Sequence, residues 1–570
     1  CKRPEELDQA ELYAPIWPAV NAHLGRYGIQ AQSHQALVEQ LGILRFGHRP
    51  KVGDTFCGGG SIPFEAARLG CDVYASDLNP IACMLTWGAL NIIGAPPEQR
   101  AEIERAQREV AEAVDREITA LGIEHDSQGN RAKAYLYCLE TRCPETGWMV
   151  PMAPSWVISR NRNVVAKLVP DHANKRFNIE ILSGVSSAEM QAAQRGTVRD
   201  GGLIYVLDGK TYLTPIKTLR GDYRDADGHT ANRVRRWGKH DFKPRPDDIF
   251  QERLYCIQWI TRETLNSDRP ETFFAAVTDD DLDREHKIES IVAENLDRWQ
   301  DRGLVSDMVI EPGGPPRYQG KSLIINLGWR YWHQLFAPRA LLMLALKTAH
   351  STGPHSMFQR ARDPDRLAKL CRYNSNPQPT QGPKIEQVFS NQALNALSNF
   401  GLYSFAGLDD YFSKLARIPL SNQDAGVYCG TAPELAREIE ADLYITDPPY
   451  ANAVMYHEIT DFFIAWLRKN PPPPFDQWTW DSRRDLAIKG SGDDFRRGMV
   501  DAYKAMTEHM PDNGMQCVMF THQDTSVWSD MVSIFWAAGL QVVGAWYIAT
   551  ETTSELKKGG YVQGTVILML

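Results

Sequence analysis

The stretch Lys51–Gly60, KVGDTFCGGG, reads as the end of a short strand running into a glycine-rich turn. Ser61–Leu69, SIPFEAARL, follows with the marks of a helix start: a serine able to cap, a proline in the first turn and a glutamate near the beginning. Gly70 closes that helix, and Cys71–Asp77, CDVYASD, is the next strand. Strand, glycine turn, helix and strand, with an acid about twenty residues after the glycines, open a doubly wound α/β sheet. The glycines let the backbone approach a ligand closely, and Asp77 at the end of the second strand can hold ribose hydroxyls. A phosphate-binding loop fits less well, because no Lys-Ser/Thr follows the glycines. The form Asp54-x-Phe56-x-Gly58-x-Gly60 suits S-adenosylmethionine better than a dinucleotide, with Asp54 facing the cationic amino-acid end of that cofactor.

A second stretch, Ala441–Tyr450, ADLYITDPPY, complements the first. Leu443-Tyr444-Ile445 is a short apolar strand that runs into Asp447-Pro448-Pro449-Tyr450. Two prolines cannot continue a ladder or sit inside a helix, so the chain leaves the sheet in a stiff extended turn. A carboxylate, a proline carbonyl and an aromatic ring are thereby predicted at the carboxyl end of a strand, where open α/β sheets bind ligands. The trio suits a flat molecule with an amino group: Asp447 and the Pro448 carbonyl accept both amino hydrogens, and Tyr450 stacks on the ring.

The 570 residues predict two or three domains. A hydrophobic fraction of 43 % and a charged fraction of 23 % are ordinary for a globular chain. No apolar run is long enough for a membrane span, so no membrane partner is expected. Ten scattered cysteines read as reduced thiols and a cytoplasmic location. No signal peptide is legible, and a chain opening on Cys1 is expected to be part of a longer protein. Net charge is -9, yet Trp156–Arg245 holds 17 Lys/Arg against 9 Asp/Glu, a net of +8. That stretch is a solvated surface or a source of phosphate contacts, with Arg233, Arg235, Arg236 and Lys239 as candidates.

Residues 1–50 read as helical, with Leu37, Leu41 and Leu44 on a helical spacing. From Ala134 to about Arg253 the texture becomes β-rich and broken by glycine, as in Gly202–Leu207, GLIYVL. Trp329-Arg330-Tyr331-Trp332-His333 interleaves aromatics with arginine, a pattern that can stack bases but fits a buried aromatic cluster better. Gln541–Ala549 and Gln563–Leu570 read as the last two strands.

Four stretches together resemble the adenine-specific DNA methylases of bacteria and archaea that carry a zinc-ribbon insert, some of them encoded in phage-defence clusters. They are FCGGGSIPFEAARLGCDVYASDLNP (56–80), LFAPRALLML (335–344), DPPYANAVMYHEITDFFIAWLRK (447–469) and VMFTHQD (518–524). The resemblance covers the chain from about Lys51 to Leu570, and the first and third stretches are the most specific. It implies an α/β, Rossmann-like methyltransferase sheet split by a long insert containing a β-rich module. On that division 1–50 is an N-terminal helical segment, and 51–125 is the cofactor half. Residues 126–320 are an insert for DNA recognition, 321–420 a helical connection and 421–570 the catalytic half. The implied cofactor site is Asp54, Phe56, Cys57, Gly58, Gly60, Asp77, Leu78 and Asn79, with S-adenosylmethionine as ligand. The implied catalytic residues are Asp447, Pro448, Pro449 and Tyr450, acting on the N6 amine of an adenine flipped from double-stranded DNA. Restriction-modification or phage defence would be the setting, with partner subunits of a defence system. Methylation of cytosine N4, RNA or a protein amide, and a catalytically idle DNA-binding subunit, stay open as alternatives. The chain departs from the resemblance in its cysteines. Only Cys138 and Cys143 form a close pair, Cys256 lies far downstream, and Gly201–Thr218 has no cysteine, so a metal-free ribbon is expected.

Overall fold

A computed structural model gives the fold and describes residues 12–228, 230–310, 319–376, 382–391, 394–408, 415–420, 424–449, 456–481, 486–488, 492–522, 524–549 and 564–570. The chain forms two compact units. Unit one comprises Cys1–Glu104, Lys414–Thr460 and Pro473–Leu570; unit two comprises Arg105–Ser413 and Asp461–Pro472.

Unit one is built on a seven-stranded sheet. Its strands are β1 (Lys51–Asp54), β2 (Asp72–Asp77), β3 (Ala425–Cys429), β4 (Leu443–Thr446), β5 (Met515–Phe520), β6 (Gly544–Ile548) and β7 (Thr565–Met569). In space they run β3-β2-β1-β4-β5-β7-β6. The first five are mutually parallel, and β7 is antiparallel to both β5 and β6. Gly53 of β1 lies opposite Tyr74 on one side and Tyr444 on the other. A Cβ there would sit 2.6 Å from the Tyr444 ring, so glycine lets the central strands close on a buried tyrosine.

Around the sheet lie α1 (His34–Phe46), α2 (Ser61–Arg68), α3 (Pro80–Gly88), α4 (Asp493–Glu508) and α5 (Thr525–Ala537). One core joins Tyr444, Val518 and Phe520 to Met499, Tyr503 and Phe535 of α4 and α5; another joins Val52 and Val73 to Ala66 and Ala67 of α2. Two local expectations are corrected. The cap of α2 is Gly60, not Ser61: Gly60 takes a left-handed φ of 85°, and no side chain caps the helix. Its Cβ would meet Thr86 Cα at 2.8 Å, so the turn passes too close to α3 for any other residue. Helix α1 forms, but Leu41 and Leu44 are exposed. The helix packs instead through Gly42, where a Cβ would stand 2.3 Å from Pro50.

Unit two carries an eight-stranded sheet. Its path is Thr272–Ala276, Phe250–Ile260, Arg131–Arg142, Met149–Met152, Arg176–Ser183, Val164–Asp171 and Val157–Ser159. Asn399–Tyr403 also pairs with Arg131–Arg142. That last strand falls in the stretch read as a helical connection, so 321–420 is not helical throughout and contributes to the same sheet as the insert. A smaller sheet holds Val198–Arg199, Gly202–Leu207 and Lys210–Pro215. Trp329, Trp332 and His333 are buried in the core, as an aromatic cluster would be. Cys138 and Cys143 are not a pair in space. Cys138 packs with Leu136, Trp156 and Cys256 in one core and Cys143 with Trp148 and Tyr205 in another. An odd separation along extended chain sends them to opposite faces. Among the described residues no group of three or more His, Cys, Asp or Glu is arranged to hold a metal, and no helix is long and apolar enough to cross a membrane.

Candidate functional site

The order of the sheet reverses between β1 and β4: β2 and β3 lie to one side, β4 and β5 to the other. Such a reversal opens a crevice at the carboxyl ends of the two strands. The distant halves of the sequence meet here. Lys51 N–H donates to Asp442 Oδ2 at 2.8 Å across 391 residues, and Val52 pairs with Leu443.

The turn after β1 is fixed by its own backbone. Cys57 N–H donates to Ser76 O at 3.0 Å, and Gly60 N–H to Cys57 O at 2.8 Å. Gly58, at a φ of 50°, donates its N–H to Asp77 Oδ2 at 3.1 Å. Asp77 Oδ1 accepts from Asn79 N–H at 2.8 Å. A Cβ at Gly59 would meet nothing within 4 Å, whereas at Gly60 the chain is closed against Thr86. The turn is therefore tied down beneath and open above.

Three carboxylates stand at the ends of the adjacent strands β2, β1 and β4: Asp77, Asp54 and Asp447. Asp54 is only 1 % exposed. Its Oδ1 accepts from Phe56 N–H at 3.0 Å, and its Oδ2 is buried with no hydrogen-bond partner. Burial holds the Asp54 carboxyl well above the usual carboxylate range, and the charges of Asp77 and Asp447 push the same way. Burial also raises Asp77, against the backbone N–H groups of Asn79, Gly58 and Leu78, which pull it down. Neither Asp54 nor Asp77 has a cationic partner among the described residues. A buried anion left in that condition favours a ligand that brings positive charge and donors.

Asp447 is exposed, Pro448 buried and Pro449 half-buried. Tyr450 lies outside the described residues. Beside the turn, Thr446 Oγ1 and Tyr503 Oη are 3.4 Å apart.

A scan of family models, of curated proteins and of solved structures finds no match to this chain.

The remaining candidates divide by how far their side chains are committed. Asn79 caps α3, accepting from Ile81 N–H at 3.0 Å, and its Nδ2 donates to Thr460 Oγ1 at 3.1 Å. Its side chain thus positions the loop after β2. Cys57 is buried and its thiol is pushed up by burial, with Thr86 Oγ1 donating to its Sγ at 3.3 Å. Leu78 is half-buried, as is Phe56. Thr86, Thr460 and Cys83 support the site without having been legible as such; the Cys83 thiol donates to Asp77 O at 3.3 Å. Their roles arise only from long-range packing. In unit two, Arg235 is held by Asp248 at 2.6 and 2.7 Å and by Asp241 at 2.5 Å, a structural ion cluster. Arg236 is half-buried and donates to Val234 O at 2.9 Å. Arg233 and Lys239 are exposed.

Proposed function

We propose that the chain is an S-adenosylmethionine-dependent methyltransferase acting on the N6 amine of adenine in double-stranded DNA. The observation that carries the reading is the buried, partnerless Oδ2 of Asp54 at the reversal of the sheet, between Asp77 and Asp447. The order β3-β2-β1-β4-β5 agrees with a doubly wound sheet, and the antiparallel β7 between β5 and β6 separates it from the dinucleotide-binding order. The residues present fit the cofactor. Asp54 offers a carboxylate oxygen to its ammonium group, and the open face of Gly58–Gly59 admits its chain close to the backbone. Asp77 already accepts backbone N–H groups, those of Gly58 and Asn79 among them, but a carboxylate has lone pairs left for ribose hydroxyls.

When bound, the cofactor supplies a methyl group on a positively charged sulfur. The chain's part is to prepare the acceptor. An exocyclic amine is a poor nucleophile because its lone pair is delocalised into the ring. Asp447 and the Pro448 carbonyl accept its two hydrogens, which makes the nitrogen more tetrahedral and frees the lone pair. The same acceptors stabilise the positive charge that develops on nitrogen. Pro449 stiffens the turn that holds them, and Tyr450 stacks on the flipped ring. Unit two is assigned the reading of DNA, with Arg233 and Lys239 as phosphate contacts. A restriction-modification or phage-defence setting with partner subunits follows from the sequence resemblance.

The test is calorimetric titration with S-adenosylmethionine, followed by incubation with labelled cofactor on duplex DNA, RNA and protein. The expected result is saturable binding and label in DNA as N6-methyladenine. Binding with label only in cytosine, RNA or protein would reassign the acceptor, and no binding would overturn the proposal.

A further inference from the structure

The far edge of the unit-one sheet exposes several large apolar side chains. β6 is the last strand, paired on one side only, with β7. Among the described residues nothing pairs with its outer edge. Val543, Trp546, Tyr547 and Ile548 are 69 %, 58 %, 60 % and 46 % exposed, and Trp536 at the end of α5 is 75 % exposed. Successive residues of a strand point to opposite faces, so Trp546 and Tyr547 leave both faces of the edge apolar. Residues 531–550, MVSIFWAAGLQVVGAWYIAT, contain no Asp, Glu, Lys or Arg in a chain that is 23 % charged. They also contain no proline. Charges, especially lysine, and proline are the devices by which edge strands are kept from pairing, and here they are missing.

We propose that β6 is the interface of a homodimer, in which it pairs antiparallel with β6 of a second copy about a two-fold axis and continues the sheet. An antiparallel pair of identical strands is self-complementary, which is what a two-fold interface requires. β6 itself carries no charged residue to meet a nucleic acid or a charged peptide. Two copies meet there without repulsion, although the chain as a whole carries -9. The exposed apolar area supplies a large part of what a standard interface needs. At about 150–250 Å² per aromatic side chain, the exposed parts of Trp546 and Tyr547 alone offer about 180–300 Å². Val543 and Ile548 extend this towards the roughly 800 Å² per partner of a standard interface. Pairing also satisfies the outward N–H and C=O groups of β6. Because β5 and β7 separate β6 from β4, the carboxyl ends of β1 and β4 do not lie at this edge.

The experiment is sedimentation velocity on the whole chain over a concentration series of about 1–100 μM, with hydrogen exchange read at 544–548. The expected result is twice the 64.3 kDa of one chain, with amides of 544–548 slowing as the concentration rises. The paired substitution Trp546→Lys and Tyr547→Lys, at positions exposed in the single chain, should give a monomer with unchanged circular dichroism and fast exchange at the edge. Should that variant misfold, Val543→Lys provides the same reading at another exposed position. A monomer throughout, or a dimer indifferent to these substitutions, overturns the proposal. A monomer whose 544–548 amides are already slow would give the edge to another segment of the chain, and overturns it equally.

Discussion

The acids at the ends of β1 and β2 and three acids of the unit-two core live under different conditions. In unit two, Glu252 meets Lys369 at 2.6 Å, and Lys369 also faces the rings of Trp237 and Trp329 at 5.3 Å each. Asp363 meets Lys347 at 2.6 Å, and Arg339 Nε donates to Glu285 at 3.0 Å. In unit one, Asp54 and Asp77 are raised by burial and have no cationic partner among the described residues. Paired acids knit a core together. Acids gathered without a cation at the carboxyl ends of parallel strands cost stability and are kept where a ligand supplies the missing charge.

The largest effect is expected where a pair is broken. Lys369→Met strands Glu252 in the core and should lower unfolding stability by about 3–5 kcal/mol. Denaturant titration checks this, and a loss below about 1 kcal/mol would mean that unit two does not depend on matched charge. Asp447→Ala should lower methyl transfer about 100- to 1,000-fold while S-adenosylmethionine still binds. A near wild-type rate would make the proline turn a structural feature only. Asp77→Ala should weaken cofactor binding by roughly 1.5–3 kcal/mol by calorimetry.

Asp54→Asn sharpens the contrast through pH. The Asp54 carboxyl is raised in the folded chain, so the folded state binds the proton more tightly than the unfolded one. Its contribution to stability therefore falls as pH rises from the ordinary carboxylate range through the elevated folded value. The apo variant should gain on the wild type across that window, and saturating S-adenosylmethionine should close the gap by restoring the wild type. Parallel pH curves for the two apo proteins would remove the strain from Asp54. The smallest effect concerns DNA. Arg233→Gln with Lys239→Gln should flatten the salt dependence of binding by about 0.9 per contact. Arg235→Gln should leave the slope unchanged and lower stability instead, because its guanidinium is held by Asp241 and Asp248.

By itself the sequence determined the strand, turn and helix at Lys51–Asp77, the strand leading into Asp447-Pro448-Pro449, and the antiparallel last pair of strands as two strands. These signals are local: glycine permits the left-handed φ at Gly58 and Gly60, proline ends a ladder, and a short apolar run marks β4. Local signals do not say what a residue faces. Only the tertiary structure joined β1 to β4 across 391 residues and so brought Asp54 and Asp447 close enough to repel each other. It also moved the α2 cap to Gly60, separated Cys138 from Cys143, turned Leu41 and Leu44 outward and locked Arg235 between two aspartates. Each of these depends on a neighbour far along the chain. Burial and electrostatics are set by everything within a few ångströms in space, whatever its place in the sequence.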